Sequence, residues 1–154
     1  EIFRGYVMPL AGLAALGKLV SLLFAGSLFG ALFGAIATFV LTCIGVFVVA
    51  KIIEFLAPQF GGPPDALAAL KLAAFAPTAH WLAQGLAFLP MVGWLIALAG
   101  GLYSLYAYYL GGPVVARVAP DKALIFTISV IVAILVVYAV VGMILGAVVF
   151  AMIR

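Results

Sequence analysis

The sequence predicts an all-α integral membrane protein, a five-span transmembrane helix bundle, and three observations lead there. Of 154 residues, 69% are hydrophobic and 7% charged, with a mean hydropathy of +1.47. A water-soluble domain carries about 25% charged residues, so lipid must be the solvent for much of this surface. The apolar residues also come in long runs punctuated by Gly, Pro and charge, and a helix needs about 20 such residues to cross the hydrocarbon. Finally, the acidic residues Glu54, Asp65 and Asp121 fall at the ends of those runs, where they meet water.

The first span, about residues 6–25, carries Pro9 in its opening turns, where a missing N–H is tolerated, and Lys18 further on. It has no small-residue cleavage site and more spans follow, so it does not read as a removable signal peptide. The second, about 31–56, ends with Lys51 and Glu54 before "APQFGGPP". The third, about 66–89, contains "FAPTAHW" and is divided by Pro77. Proline deprives the carbonyl four residues back, that of Ala73, of its helical partner. The stretch therefore reads as one span kinked at Pro77, with an interfacial helix followed by a re-entrant half as the alternative. Lys71, two turns inside, would snorkel back to the headgroups.

The fourth span, about 91–116, ends in the tyrosine-rich "GGLYSLYAYYLGGP". The fifth, about 123–152, is rich in β-branched residues but far too long for a strand. In lipid it must be a helix, because an open sheet edge leaves backbone groups unsatisfied. Together the spans make one domain over residues 1–154.

Charge sets the expected orientation. With five spans, one face receives Arg4, Lys51, Lys71, Arg117 and Lys122, and the other only Arg154, with Lys18 nearer to it. The positive-inside rule makes the rich face cytoplasmic, which places the N-terminus inside and the C-terminus outside. "FGGPPDALAAL" and "LGGPVVARVAPDKAL" echo one another. Asp65 and Asp121 suit helix N-caps, and two independent helix starts explain the echo better than a duplication.

Several function classes are excluded on inventory. A formal charge of +3 is too small to argue for nucleic acid. The single Cys43 permits neither an internal disulfide nor a cysteine metal site, and mid-span it packs as a small apolar group. Zinc hydrolysis needs several His or acidic ligands, a serine triad needs a His near a Ser and an acid, and the chain has one His and four acids. No catalytic residue, metal or cofactor is expected, and the protein is not read as an enzyme.

His80 and Gln84 are four apart and share a helix face, so with Lys18 they form a candidate polar cavity. The favoured reading of His80 is a hydrogen-bonded residue inside the bundle. Tyr103, Tyr106 and Tyr109, near the end of span 4, belong at headgroup level, and with Arg117 they are a candidate lipid or partner contact. Small residues recur four apart at Gly26, Gly30 and Gly34, at Gly93, Ala97 and Gly101, and at Gly142 and Gly146. Such ridges let helix backbones approach closely where lipid supplies no hydrophobic drive.

The run "KLAAFAPTAHWLAQGLAFLPMVGWLIALAGGLYSLYAYYLGGPVVARVAPDKAL", with "RGYVMPLAGL" near the start, resembles the bacterial branch of the Yip-domain family of multi-pass membrane proteins. The resemblance implies five spans and a cytoplasmic N-terminus, matching the charge count. Eukaryotic members are associated with prenylated Rab GTPases, but their Asp-Leu-x-Gly-Pro-x-x-Trp and Gly-Tyr-x-x-x-Pro signatures are not found here, so no Rab-binding residue transfers. The expectation is a non-enzymatic scaffold or accessory subunit of the bacterial cytoplasmic (inner) membrane. It would contact membrane lipids and other integral membrane proteins, in a larger complex or a homo-oligomer. The alternative is a small transporter, channel or lipid-moving protein using the His80/Gln84/Lys18 cavity.

Overall fold

The computed structural model of the chain describes residues 2–24, 28–86, 88–89 and 92–153. These are almost wholly helical, with no strand among the described residues. A π-helical turn, Phe3–Val7, runs directly into α1, Met8–Phe24. The wider turn lies just ahead of Pro9, where an α-helical backbone would press the proline ring against the Gly5 carbonyl.

Helix α2, Leu28–Leu56, has 29 residues, and at about 1.5 Å per residue it outreaches the hydrocarbon. It closes with a 3-10 turn, Ala57–Phe60, and Gly61. Gly61 takes φ +88°, a left-handed conformation that glycine adopts without steric cost.

Helix α3, Ala66–Phe75, starts at Asp65, whose carboxylate accepts the N–H groups of Leu67 at 2.9 Å and Ala68 at 3.0 Å. Ala76 and Pro77 separate α3 from α4, Thr78–Gly85. Helix α5, Gly93–Val115, precedes a 3-10 turn, Pro120–Lys122, and α6, Ala123–Ile153. Asp121 is not an N-cap: it lies within that turn, whose cap residue Ala119 makes no side-chain bond.

Four stretches are long and apolar enough to cross a membrane: Arg4–Phe24, Ala31–Phe60, Ala66–Gly85 and Pro120–Val137. They coincide with four of the five expected spans. The other expected span is helical as α5 and long enough, but its tyrosines make it less apolar, and it is not among the four. Helix α1 packs on α2 and α4, α2 also packs on α3 and α6, and α5 packs on α3, α4 and α6. Phe126 of α6, fully buried, meets Phe60 edge-on at 5.7 Å. Val7, Ile53, Leu72, Val118 and Val130 belong to the same buried cluster.

The two Gly-Gly-Pro segments differ in structure. Gly61 and Gly62 form a turn, whereas Gly111, Gly112 and Pro113 lie within α5. The chain around the first segment meets the connection after the second: the Ala119 N–H donates to the Phe60 carbonyl at 3.1 Å. A Cβ on Gly62 would come within 2.5 Å of the Ala116 carbonyl oxygen. The same end carries Asp65, whose carboxyl is held below its ordinary value of 3.8 by the Ala68 N–H above all. The Leu67 N–H and the charges of Arg117 and Lys71 act in the same direction.

Candidate functional site

Helix α4, of eight residues, is held closely on two sides. On one side of α4, a Cβ on Gly17 of α1 would lie 2.9 Å from the Gly85 Cα. On the other, a Cβ on Gly100 of α5 would lie 2.5 Å from the Ala83 Cβ and 2.6 Å from the Ala79 carbonyl oxygen. Glycine at those positions lets three backbones approach as close-packed membrane helices do.

The start of α4 is satisfied from outside itself. Its cap residue, Pro77, has no side-chain acceptor, and the first-turn N–H groups of a helix lack internal partners. The N–H of His80 donates instead to Ser104 Oγ of α5 at 3.1 Å, while that hydroxyl donates to the Gly100 carbonyl at 2.9 Å. Thr78 donates its hydroxyl to the Phe75 carbonyl. Its oxygen is left to accept from Tyr6 Oη at 2.7 Å, which ties the N-terminal turn to the α3–α4 junction.

These contacts place His80 on the wall of a cavity of about 320 Å³, formed by α2, α3, α4, α5 and α6. The Gln84 amide nitrogen lies 2.8 Å from His80 Nε2. Ser104, Thr42 and the buried Tyr108 add polar atoms to a lining that is otherwise apolar, with Trp81, Leu105, Ile131 and Leu135 among its members. Thr42 donates its hydroxyl to the Thr38 carbonyl at 2.8 Å.

Of the three residues read as a cavity, His80 and Gln84 are together in it, and Lys18 is exposed on α1 and not in its lining. Tyr103, Tyr106 and Tyr109 are exposed, the first two with rings 6.4 Å apart. Arg117 is exposed beyond the end of α5 at φ +53°, an αL position just after a helix that usually holds glycine.

Among the small residues, Gly34 faces α1, where a Cβ would lie 2.7 Å from Leu22 Cδ1. Gly93 is buried at the start of α5, and a Cβ on Gly101 would meet only His80 Nδ1, at 3.9 Å. Gly26 lies outside the described residues, as do the surroundings of Gly30, Gly142 and Gly146. Sequence reasoning missed Gly17, Gly85 and Gly100 as crossing points, and Ser104 as the outside cap. A lone serine in an apolar helix was the available signal, because such a hydroxyl needs a partner.

An apolar helical bundle with four stretches long and apolar enough to cross a membrane among the described residues has the make-up of a multi-pass membrane protein. The model of the Yip1 domain family matches residues 3–142, and the chain belongs to that family. Neither a curated protein nor a solved structure gives a match.

Proposed function

We propose that the protein is a non-enzymatic accessory subunit or scaffold of the bacterial cytoplasmic (inner) membrane, within the bacterial branch of its family. It crosses the bilayer five times, α5 being the further span, with the third span kinked at Pro77. Its N-terminus is cytoplasmic and its C-terminus outside.

The observation that carries this reading is how the interior polar groups are engaged. Tyr6 bonds to Thr78, Ser104 bonds to the His80 N–H, and Thr127 bonds to the Ala123 carbonyl at 2.8 Å. Each bond joins or shapes helices, so the polar chemistry of the bundle serves assembly. The partners are other integral membrane proteins and the surrounding lipids, met on helix faces rich in exposed Leu, Ile, Val and Phe.

The His80–Gln84 pair in its cavity favours a second reading, a small transporter or lipid-moving protein. Reconstituted liposomes separate the two. The accessory role predicts no flux of ions or lipid above empty vesicles, and recovery of a defined complex from native membranes in mild detergent. Flux that disappears in His80→Gln would overturn it in favour of the second reading.

A further inference from the structure

We propose that the cavity beside His80 binds an uncharged lipid group bearing a carbonyl oxygen, entered from the bilayer between α5 and α6. This goes beyond the accessory role, which requires no ligand.

Charge narrows the ligand first. Among the described residues, no Asp, Glu, Lys or Arg lines the cavity. A phosphate or ammonium group entering it would lose its hydration without gaining a counter-charge, so the occupant is neutral.

Hydrogen bonding narrows it further. The Gln84 nitrogen lies 2.8 Å from His80 Nε2, and because an amide nitrogen only donates, Nε2 is the acceptor. The imidazole is therefore neutral and its proton sits on Nδ1. That nitrogen faces Gly101, where the missing side chain leaves the space beside it open. The hydroxyls of Ser104 and Thr42 already donate to the Gly100 and Thr38 carbonyls. The Nδ1–H is thus a donor open to an incoming oxygen, and it calls for an acceptor.

Size and entry complete the description. At about 320 Å³, the cavity is at the small end of the range of about 300–1,000 Å³ found for ligand sites. It holds a ring or head with the first carbons of a chain. Leu105 and Leu135 line it and are also exposed, so the mouth opens beside them and the remaining tail stays in the bilayer. Trp81 supplies a flat wall. An ester carbonyl of a neutral glycerolipid and a ring carbonyl of a quinone share this chemistry.

Native mass spectrometry of the full chain in detergent tests the site. The probes are dioleoylglycerol, decylubiquinone, squalene as an oxygen-free control and dioleoylphosphatidic acid as a charged one. A one-to-one adduct with dioleoylglycerol or decylubiquinone is expected, and whichever binds identifies the source. Gly101→Val, which fills the space at Nδ1, and Leu105→Trp, which blocks the mouth, should abolish it. His80→Phe should weaken it about five-fold, as for the loss of one hydrogen bond. Leu105 is exposed, so its variant decides the matter if Gly101→Val fails to fold. The proposal fails if neither carbonyl lipid gives a one-to-one adduct, if squalene or phosphatidic acid binds equally well, or if the adduct survives Leu105→Trp.

Discussion

Gly100 and Gly101 are neighbours in sequence, yet alanine should do opposite things at the two positions. At Gly100 the new methyl would stand 2.5 Å from the Ala83 Cβ and 2.6 Å from the Ala79 carbonyl oxygen. Non-bonded carbons settle at about 3.5–4.0 Å, so α4 and α5 must separate by about 1 Å. Overpacking of this kind costs about 1–3 kcal/mol, and the better helix propensity of alanine returns about 1 kcal/mol. The bond from the His80 N–H to Ser104, 3.1 Å long, crosses the same seam. A retreat of that size breaks it, at a further cost of about 1 kcal/mol. The expected net loss for Gly100→Ala is therefore about 1–3 kcal/mol. At Gly101 the added methyl meets only His80 Nδ1, at an ordinary 3.9 Å, so Gly101→Ala should be neutral or more stable by up to about 1 kcal/mol. Reversible unfolding of the purified chain in mixed micelles with increasing dodecyl sulfate measures both. If Gly100→Ala proved as stable as Gly101→Ala, the close approach of α4 and α5 would be refuted.

Three further outcomes are expected. A reporter active only outside the cytoplasm should be active when fused after residue 154, and an inactive one would remove α5 or the third span from the count of crossings. Ser104→Ala leaves the His80 N–H without its acceptor and should cost about 1–3 kcal/mol of unfolding free energy, whereas Ser104→Thr, which keeps the hydroxyl, should recover part of that; equal losses would mean that packing dominates. Because the folded state lowers the pKa of Asp65 from 3.8, its ionised form favours folding above that value, and this contribution disappears as pH falls through the lowered pKa. Asp65→Asn, which can still cap α3, should therefore flatten the acid limb of a stability-against-pH curve without shifting it near neutrality, and an unchanged acid limb would contradict the assignment.

The positions of the helices could be read from the sequence because the physics that sets them is local. Apolar length marked four stretches able to cross, and Asp65 marked the start of α3 through the short-range geometry of an N-cap. Asp121 misled because Pro120 beside it favours a tight turn, which absorbed the aspartate before α6 began. Which face of each helix points inward was far harder to read. In water a polar face gives the orientation away, but here both faces are apolar, one against lipid and one against protein. That is why the small-residue pattern favoured Gly101 when the crossing point is Gly100, one residue and about 100° around the helix away. His80 and Gln84 could be paired because they are one turn apart on a single helix. Ser104 could not, since it is 24 residues beyond His80 and only the docking of α5 on α4 brings them together.

The way α4 is held also says something about how the chain is made. Synthesis delivers α1 and α2 to the membrane first, so Gly17 is waiting when residues 66–85 emerge. Gly100 and Ser104 are not, because α5 has yet to leave the ribosome. During that interval the His80 N–H has no acceptor from α5, and a two-turn helix behind a proline has little cohesion of its own. Of the four stretches able to cross, this one is also the least apolar. Its seating is thus completed by contacts from a helix translated later. With Cys43 replaced by Ser, a nascent chain arrested when Thr78 has emerged and α5 is still inside the ribosome should leave a cysteine placed at Thr78 open to a water-soluble maleimide, and one arrested when α5 has fully emerged should shield it.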